Sequence, residues 1–285
     1  MDLAAALAER VVVLDGGLAT ELERRGADLS SALWSARLLR DDPGAVVAAH
    51  AAFVAAGAEV VTSASYQASF EGLGADAEPL LRRSVALARE AGPRWVAASV
   101  GPYGAVLADG SEYRGDYGLS VAELRAWHRP RLEVLADAGA DVLAVETIPC
   151  LAEVAAVCAE LDAMGAPAWV SVTCDRTRTR AGERAAEAFA IAADCAAVVA
   201  VGVNCTDPAD VPRLVELAAT TGKPVVVYPN SGEAWNAEAR SWVGPGRFAA
   251  AQVQAWVAAG ARMVGGCCRV RPDDIAALAE VVGPS

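Results

Sequence analysis

Cys205, in the segment Gly202-Val203-Asn204-Cys205, and the adjacent pair Cys267-Cys268 are the residues of this chain whose types and spacing speak most directly of chemistry. Each closes a short apolar run, residues 197–205 and 261–268. Thiolates are soft, anionic ligands, and three of them gathered from two strand ends make a site suited to zinc. Structural zinc sites usually take four protein ligands, so three leave a position open. A soft site with an open position invites a substrate sulfur, which points to chemistry on a thiol. The competing reading is packing, since free cysteine is among the most buried residue types. Successive strand residues face opposite sides, so Cys267 and Cys268 can share an ion only where the strand bends. Gly265-Gly266 can supply that bend.

Two acids, Asp15 and Glu146, also close apolar runs, and either can hold an ammonium group. A pair of strand-end carboxylates is equally the signature of glycoside hydrolysis. Sugar sites usually display aromatic side chains, and this chain is only 6% aromatic. His50 and His128 fall inside helical patterns away from the strand ends, where a structural role is favoured. Cys158 and Cys195 fall in helical segments and read as core. Cys174 closes the fifth apolar run, and packing is favoured there over lining a pocket.

The elements that must position these residues recur as strand followed by helix, eight times. Apolar, often β-branched runs lie at Val11–Leu14, Glu59–Thr62, Trp95–Val100, Asp141–Val145, Ala168–Val172, Val198–Val203, Pro224–Tyr228 and Arg262–Val264. Their near-continuous apolarity suits parallel strands buried on both faces. Helical spacing follows over Pro79–Ala91, Val121–Ala138, Leu151–Met164, Glu183–Ala193, Pro208–Thr221, Pro245–Ala258 and Pro272–Val281. Pro79, Pro208 and Pro272 sit where first-turn prolines belong, and Gly139, Gly165, Gly222 and Gly260 where helices stop. Eight such units predict an α/β fold, a single (β/α)8 TIM barrel over residues 1–285. An open doubly wound sheet is the alternative, but Leu14-Asp15-Gly16-Gly17 is no GxGxxG fingerprint. In a barrel the residues closing the strands share one rim, and that is where Asp15, Ser63, Glu146, Cys205, Cys267 and Cys268 all fall.

Composition bounds the partners. The chain has 285 residues, 54% apolar, ample for a large core. A net charge of −12 argues against nucleic acid or an anionic membrane surface and mildly favours a cationic ligand. No run of about 18 uncharged apolar residues marks a membrane span. The N-terminal stretch lacks the basic start of a signal peptide, and seven cysteines, an odd number, suit a reducing compartment. A cytoplasmic protein is the expectation.

Taken together, LDGGLATELERRG, TSASYQASFEGLG, SVGPYGAVLADGSEYRGDYG, AVETIP, GVNC, YPNSGEAWN and GGCC resemble the homocysteine S-methyltransferase family, over nearly the whole chain. The third-loop segment and YPNSGE resemble its S-methylmethionine-using branch. GVNC with GGCC is the specific part; LDGG or ETIP alone would say little. The resemblance implies a zinc-dependent barrel that makes methionine from homocysteine, with Cys205, Cys267 and Cys268 as zinc ligands and, through the zinc, the catalytic groups. It implies that Asp15 and Glu146 hold the homocysteine amino group and that backbone at Gly16 and Ser63 meets its carboxylate. The segment TCDRTRTRAGE departs from the family pattern. The chain stops one helix after Cys268, without room for cobalamin or folate domains, which leaves S-methylmethionine or S-adenosylmethionine as methyl donor. The loop Gly101–Gly118 and residues Tyr228–Trp235 are the donor-site candidates, with Asp109, Glu112 and Asp116 as acids able to face a sulfonium. A different thiol or selenol acceptor, and a purely structural zinc, remain alternatives. A monomer is favoured.

Overall fold

A computed structural model describes residues 1–28, 35–236 and 241–283, with backbone alone for residues 35–36, 234–236 and 241–242. Eight strands form the central sheet: β1 Val12–Val13, β2 Val60–Thr62, β3 Trp95–Val100, β4 Val142–Ile148, β5 Ala168–Val172, β6 Val198–Asn204, β7 Val225–Tyr228 and β8 Ala261–Val264. They pair in the order β1-β8-β7-β6-β5-β4-β3-β2, and every pair is parallel. A parallel bridge between Leu14 and Val60 joins the two ends and completes the barrel. A helix follows each strand before the next: α1 Pro43–Ala55, α2 Ala77–Glu90, α3 Val121–Asp137, α4 Leu151–Met164, α5 Ala185–Asp194, α6 Val211–Ala219, α7 Gln252–Ala259 and α8 Pro272–Val282. None of the described helices is long and apolar enough to cross a membrane.

Two apolar layers follow from the alternation of side chains along each strand. One set points into the lumen, where Trp95, Val142, Trp169, Val226 and Met263 pack together. The other set meets the inward stripes of the helices, as Val96, Val145 and Val201 do with Leu135, Leu161 and Leu214. The bottom of the lumen is plugged by the helix Leu3–Glu9, capped by Asp2, whose carboxylate accepts the Ala5 amide at 2.8 Å. Its Leu3 and Leu7 join the lumen cluster, each contributing about 2 kcal/mol of transfer free energy. With the bottom filled, the opposite rim is left for polar groups.

Two helix starts differ from expectation. Pro208 precedes α6 rather than opening it: the Asp207 carboxylate accepts the Ala209 amide and holds a turn, and Pro212 takes the first-turn position. The helix expected from Pro245 begins at Gln252, because the Arg247 and Phe248 amides are drawn to the Ser231 carbonyl. Cys195 is not helical either. It caps the end of α5, where its thiol donates to the Asp162 carboxylate at 3.1 Å.

Candidate active site

Cys205 follows β6, and Cys267 and Cys268 follow β8 on the far side of β7. Their three sulfurs lie within 4.8 Å of one another, with Cys205 Sγ 2.7 Å from Cys267 Sγ and 4.0 Å from Cys268 Sγ. Sulfurs bound at about 2.3 Å to one tetrahedral ion sit roughly 3.8 Å apart, so Cys205 and Cys268 already stand near that spacing, while Cys205 and Cys267 lie closer than a shared ion would hold them. Cys205 is buried, and the adjacent pair is partly so. Hydrogen bonds from Cys205 and then Cys267 pull the Cys268 thiol well below its usual range. Cys267, donor to both neighbours and buried, is pushed far up. Cys205 receives from Cys267, but its own bond to Cys268 and its burial outweigh that and push it up. One charge is thus comfortable here and three are not, unless a cation joins them.

Glycines from distant segments create the proximity. A Cβ on Gly17 would stand 2.6 Å from the Cys267 carbonyl, and one on Gly265 would stand 2.6 Å from the Asp15 carbonyl. The two Gly-Gly segments interlock backbone to backbone, which brings Asp15 beside the cysteine pair. The chain then turns at Arg269, whose φ is +67°. The Val270 amide closes this turn on the Cys267 carbonyl at 3.2 Å, so both cysteines lie beyond the strand, where its alternation no longer sends them to opposite faces. Residues after β7 hold it: the Cys268 amide donates to Asn230 Oδ1 at 3.1 Å, and its carbonyl accepts the Ser231 amide at 2.9 Å.

The ends of β4 and β6 are fastened by Asn204. Its Oδ1 accepts the Thr147 amide and its Nδ2 donates to Thr147 Oγ1, both at 2.7 Å. Thr147 and Cys205 both have left-handed backbone, φ +61° and +47°, a costly conformation for side-chain-bearing residues. The reciprocal amide pair is what maintains it. Asn204 was visible in GVNC, but nothing in the sequence paired it with the threonine of ETIP.

Glu146, one residue before Thr147, accepts from Ser99 Oγ. Burial is the main cause that raises its carboxyl to about 7; the Ser99 bond opposes the rise and the Cys205 charge adds to it. Asp15 is also buried, accepts the Thr62 amide at 2.8 Å, and is driven well above the carboxylate range by burial, against the Thr62 bonds and with the charge of Glu146. Two buried acids in one another's field are most stable with a cation between them. At Ser63, the amide donates to the Ala97 carbonyl and the hydroxyl pairs with Ser65 Oγ at 2.7 Å. Ser63 is therefore part of the wall, and its own amide is already engaged.

The loop after β3 folds over this rim as a short helix Tyr103–Leu107 and a single turn Ser111–Tyr113. Of its acids, Asp109 and Asp116 face out and flank Arg114 at 3.4 Å each. Glu112 turns inward and is 8% exposed. The loop's root is buried: Arg131 donates to the Gly101 carbonyl at 2.5 Å, and the Glu153 carboxylate accepts the Tyr103 amide at 2.6 Å. His128 lies between them, 3.1 Å from Arg131 and 2.9 Å from Glu153. With Arg131 as donor to Nδ1, the imidazole proton is on Nε2 and goes to Glu153. The histidine is thus an anchor, as expected, and Arg131 and Glu153 are anchors the sequence reading missed. A charge on the buried face of each of two amphipathic helices was the available signal. His50 is fully buried and held neutral by burial, its pKa lowered to about 4. Cys174 packs in the outer core. The loop after β5 forms a hairpin, Cys174–Asp175 with Arg178–Thr179, and places the Arg180 guanidinium 5.5 Å from the Tyr113 ring. Tyr228 lies under the site, its hydroxyl 2.6 Å from Ser171 Oγ, while the Trp235 side chain falls outside the described residues.

A family model described as homocysteine S-methyltransferase matches residues 12–282. The homocysteine S-methyltransferase YbgG of Bacillus subtilis is 42% identical over 294 residues, 94% of this chain and 93% of that protein. A selenocysteine Se-methyltransferase of Brassica oleracea is 44% identical, over 93% of this chain and 87% of its own. The crystal structure of the Escherichia coli homocysteine methyltransferase MmuM in its metallated form superposes with a TM-score of 0.85 at 42% identity, covering 96% of this chain and 97% of that one.

Proposed function

Since the chain belongs to the homocysteine S-methyltransferase family, we propose that Cys205, Cys267 and Cys268 hold zinc and that the site moves a methyl group from a sulfonium donor to homocysteine, forming methionine. The observation that carries the reading is three convergent sulfurs beside two buried, cation-seeking acids. The thiols fit the ion in softness, in convergence on one point and in their need of a positive charge. When bound, zinc would favour the thiolate form of the acceptor, whose free thiol, with a pKa near 8.5, is only a few per cent ionised at pH 7.

Asp15 and Glu146 hold the acceptor's ammonium group, exchanging their mutual repulsion for two ion pairs. Backbone at Gly16 and just beyond Ser63 meets its carboxylate. These contacts fix the direction of the acceptor sulfur, and orientation is a large part of what such a site contributes. In the transfer, a lone pair of that sulfur forms a bond to the methyl carbon. The donor's S–CH3 bond breaks, and its electron pair stays on the donor sulfur. The leaving group is a neutral thioether that needs no proton, consistent with the histidines serving as core and anchor. S-Methylmethionine and S-adenosylmethionine are the donors, and the loop after β3 closes over them. A selenol is a second acceptor reading, favoured by the Brassica relative.

The test is methionine formation by anaerobically reduced, zinc-loaded protein given homocysteine with either donor. Transfer that a chelator abolishes and zinc restores is the expected result. Full transfer by metal-free protein would remove the zinc assignment, and none from either donor would remove the reaction.

A further inference from the structure

The loop after β3 carries a buried group that the reaction as described leaves without a partner. Glu112 sits in the turn Ser111–Tyr113, whose backbone packs flush on the helix before it: a Cβ on Gly104 would stand 2.5 Å from the Glu112 nitrogen. Its neighbours Asp109, Arg114 and Asp116 form an exposed cluster of ion pairs, while its own carboxylate points inward. Oε2 is buried and, among the described residues, has no hydrogen-bond partner. A buried carboxylate oxygen with nothing to accept from is costly, and its presence asks for a ligand. Its charge acts on Cys205 and Cys268, so it lies within electrostatic reach of the sulfur cluster. The buried Tyr66 and Tyr113 lie within the same electrostatic reach.

We infer that Glu112 is the counter-ion of the donor's sulfonium. This rests on the methyl transfer proposed above and adds the residue that selects the donor's charge. A sulfonium has no N–H or O–H to donate, so charge and aromatic faces are the means of holding it. Asp15 and Glu146 are committed to the acceptor's ammonium, which leaves Glu112 for the second cation. The donor's positive charge disappears as its S–CH3 bond breaks. Glu112 therefore holds the donor more tightly than the neutral thioether it becomes, and helps that product leave. Because the attraction is strongest before transfer, its loss falls on the donor's KM more than on kcat.

The experiment uses the zinc-loaded full chain as wild type, Glu112→Gln and Asp116→Asn. Wild-type transfer is established first, so that failure of the reaction itself is recognised separately. Glu112→Gln is expected to raise the donor KM roughly tenfold or more, with homocysteine KM and zinc content changed less than about twofold. Asp116→Asn is expected to match wild type. A second readout compares, by calorimetry in the absence of homocysteine so that no transfer occurs, binding of S-methylmethionine with that of 2-amino-5-methylhexanoic acid, the carbon isostere bearing CH in place of S⁺. Both carry the same ammonium and carboxylate, so their ratio reports the sulfonium charge alone, and any folded variant can be scored. The wild-type preference for the cation should collapse in Glu112→Gln while the isostere binds as before. An unchanged ratio overturns the inference, as does a fall in kcat with both KM values intact, or a rise in homocysteine KM in parallel with the donor's.

Discussion

On the proposed assignment the three cysteines work as one ligand rather than three residues. Removing one thiol leaves a two-sulfur site with a poorer match to the ion, so Cys268→Ser is expected to lose zinc and activity while keeping the barrel. Metal analysis and circular dichroism check both halves, and retained stoichiometric zinc would count against the assignment. Glu146 makes a prediction of a different kind. Burial raises its carboxyl to about 7, so below that pH it is neutral and cannot pair with an ammonium. As pH drops through about 7, homocysteine affinity should therefore fall more steeply than ionisation of its thiol alone requires, and Glu146→Gln should bind weakly with only the thiol's dependence left. For folding the sign is opposite: a raised carboxyl favours the protonated folded state, an advantage complete below the unfolded pKa and lost as pH rises through about 7. Binding measured by calorimetry across pH 6–8 separates these, and an unchanged profile in the variant would rule the role out. Asp15, Glu146, Cys205, Cys267 and Cys268 were legible one at a time, because each closes an apolar run. Glu112 was one of three equivalent acids in the sequence, and only the turn that carries it distinguishes it from Asp109 and Asp116.

Elements place these groups through a few buried polar ties. Asn204 ties β4 to β6, the Gly-Gly segments after β1 and β8 interlock, and Arg131 with Glu153 roots the loop after β3. Helices α3 and α4 are fastened further out by Glu160, whose oxygens accept from Arg125 and Arg129 at 2.6 Å each. The Arg129 bond is the leading cause that depresses this carboxyl, with Arg125 assisting against burial. Its stabilising effect is present above the usual carboxylate range and is lost as pH falls through the depressed value. The arginines are half exposed, so Glu160→Gln is expected to cost only about 1 kcal/mol at neutral pH, about 2 °C in Tm. Thermal melts should show the gap closing in acid; a gap that persists there would mean the loss is packing. Strand positions were readable because both faces of each strand are buried, which leaves a continuous apolar run. The starts of α6 and α7 were not, because a side-chain oxygen of Asp207 and a distant carbonyl of Ser231 decide where those helices begin.

At the scale of the molecule, the barrel closes one end with the helix Leu3–Glu9 beside ion pairs such as Arg10–Glu59, and gathers Asp15, Glu146 and the three thiols on the other rim. Its net charge of −12 attracts a cationic donor over a distance that salt shortens, since the screening length is about 10 Å at 0.1 M. The donor's kcat/KM should therefore fall a few-fold between low and physiological ionic strength, while that of the zwitterionic acceptor stays level. Parallel salt titrations check this, and equal slopes for both would exclude steering. The amino-acid sequence by itself determined the number of strand–helix units and the rim on which polar residues end, because burial writes apolar periods into the chain. It also carried the cysteine set, because soft metal ligands are few in kind. Only the tertiary structure decided which acid lies within reach of the sulfurs, how Cys267 and Cys268 escape the strand's alternation, and what anchors the covering loop. Those outcomes depend on contacts between residues up to about 250 positions apart, such as Thr20 Oγ1 with the Arg269 amide, and separation along a chain carries no distance until the barrel closes.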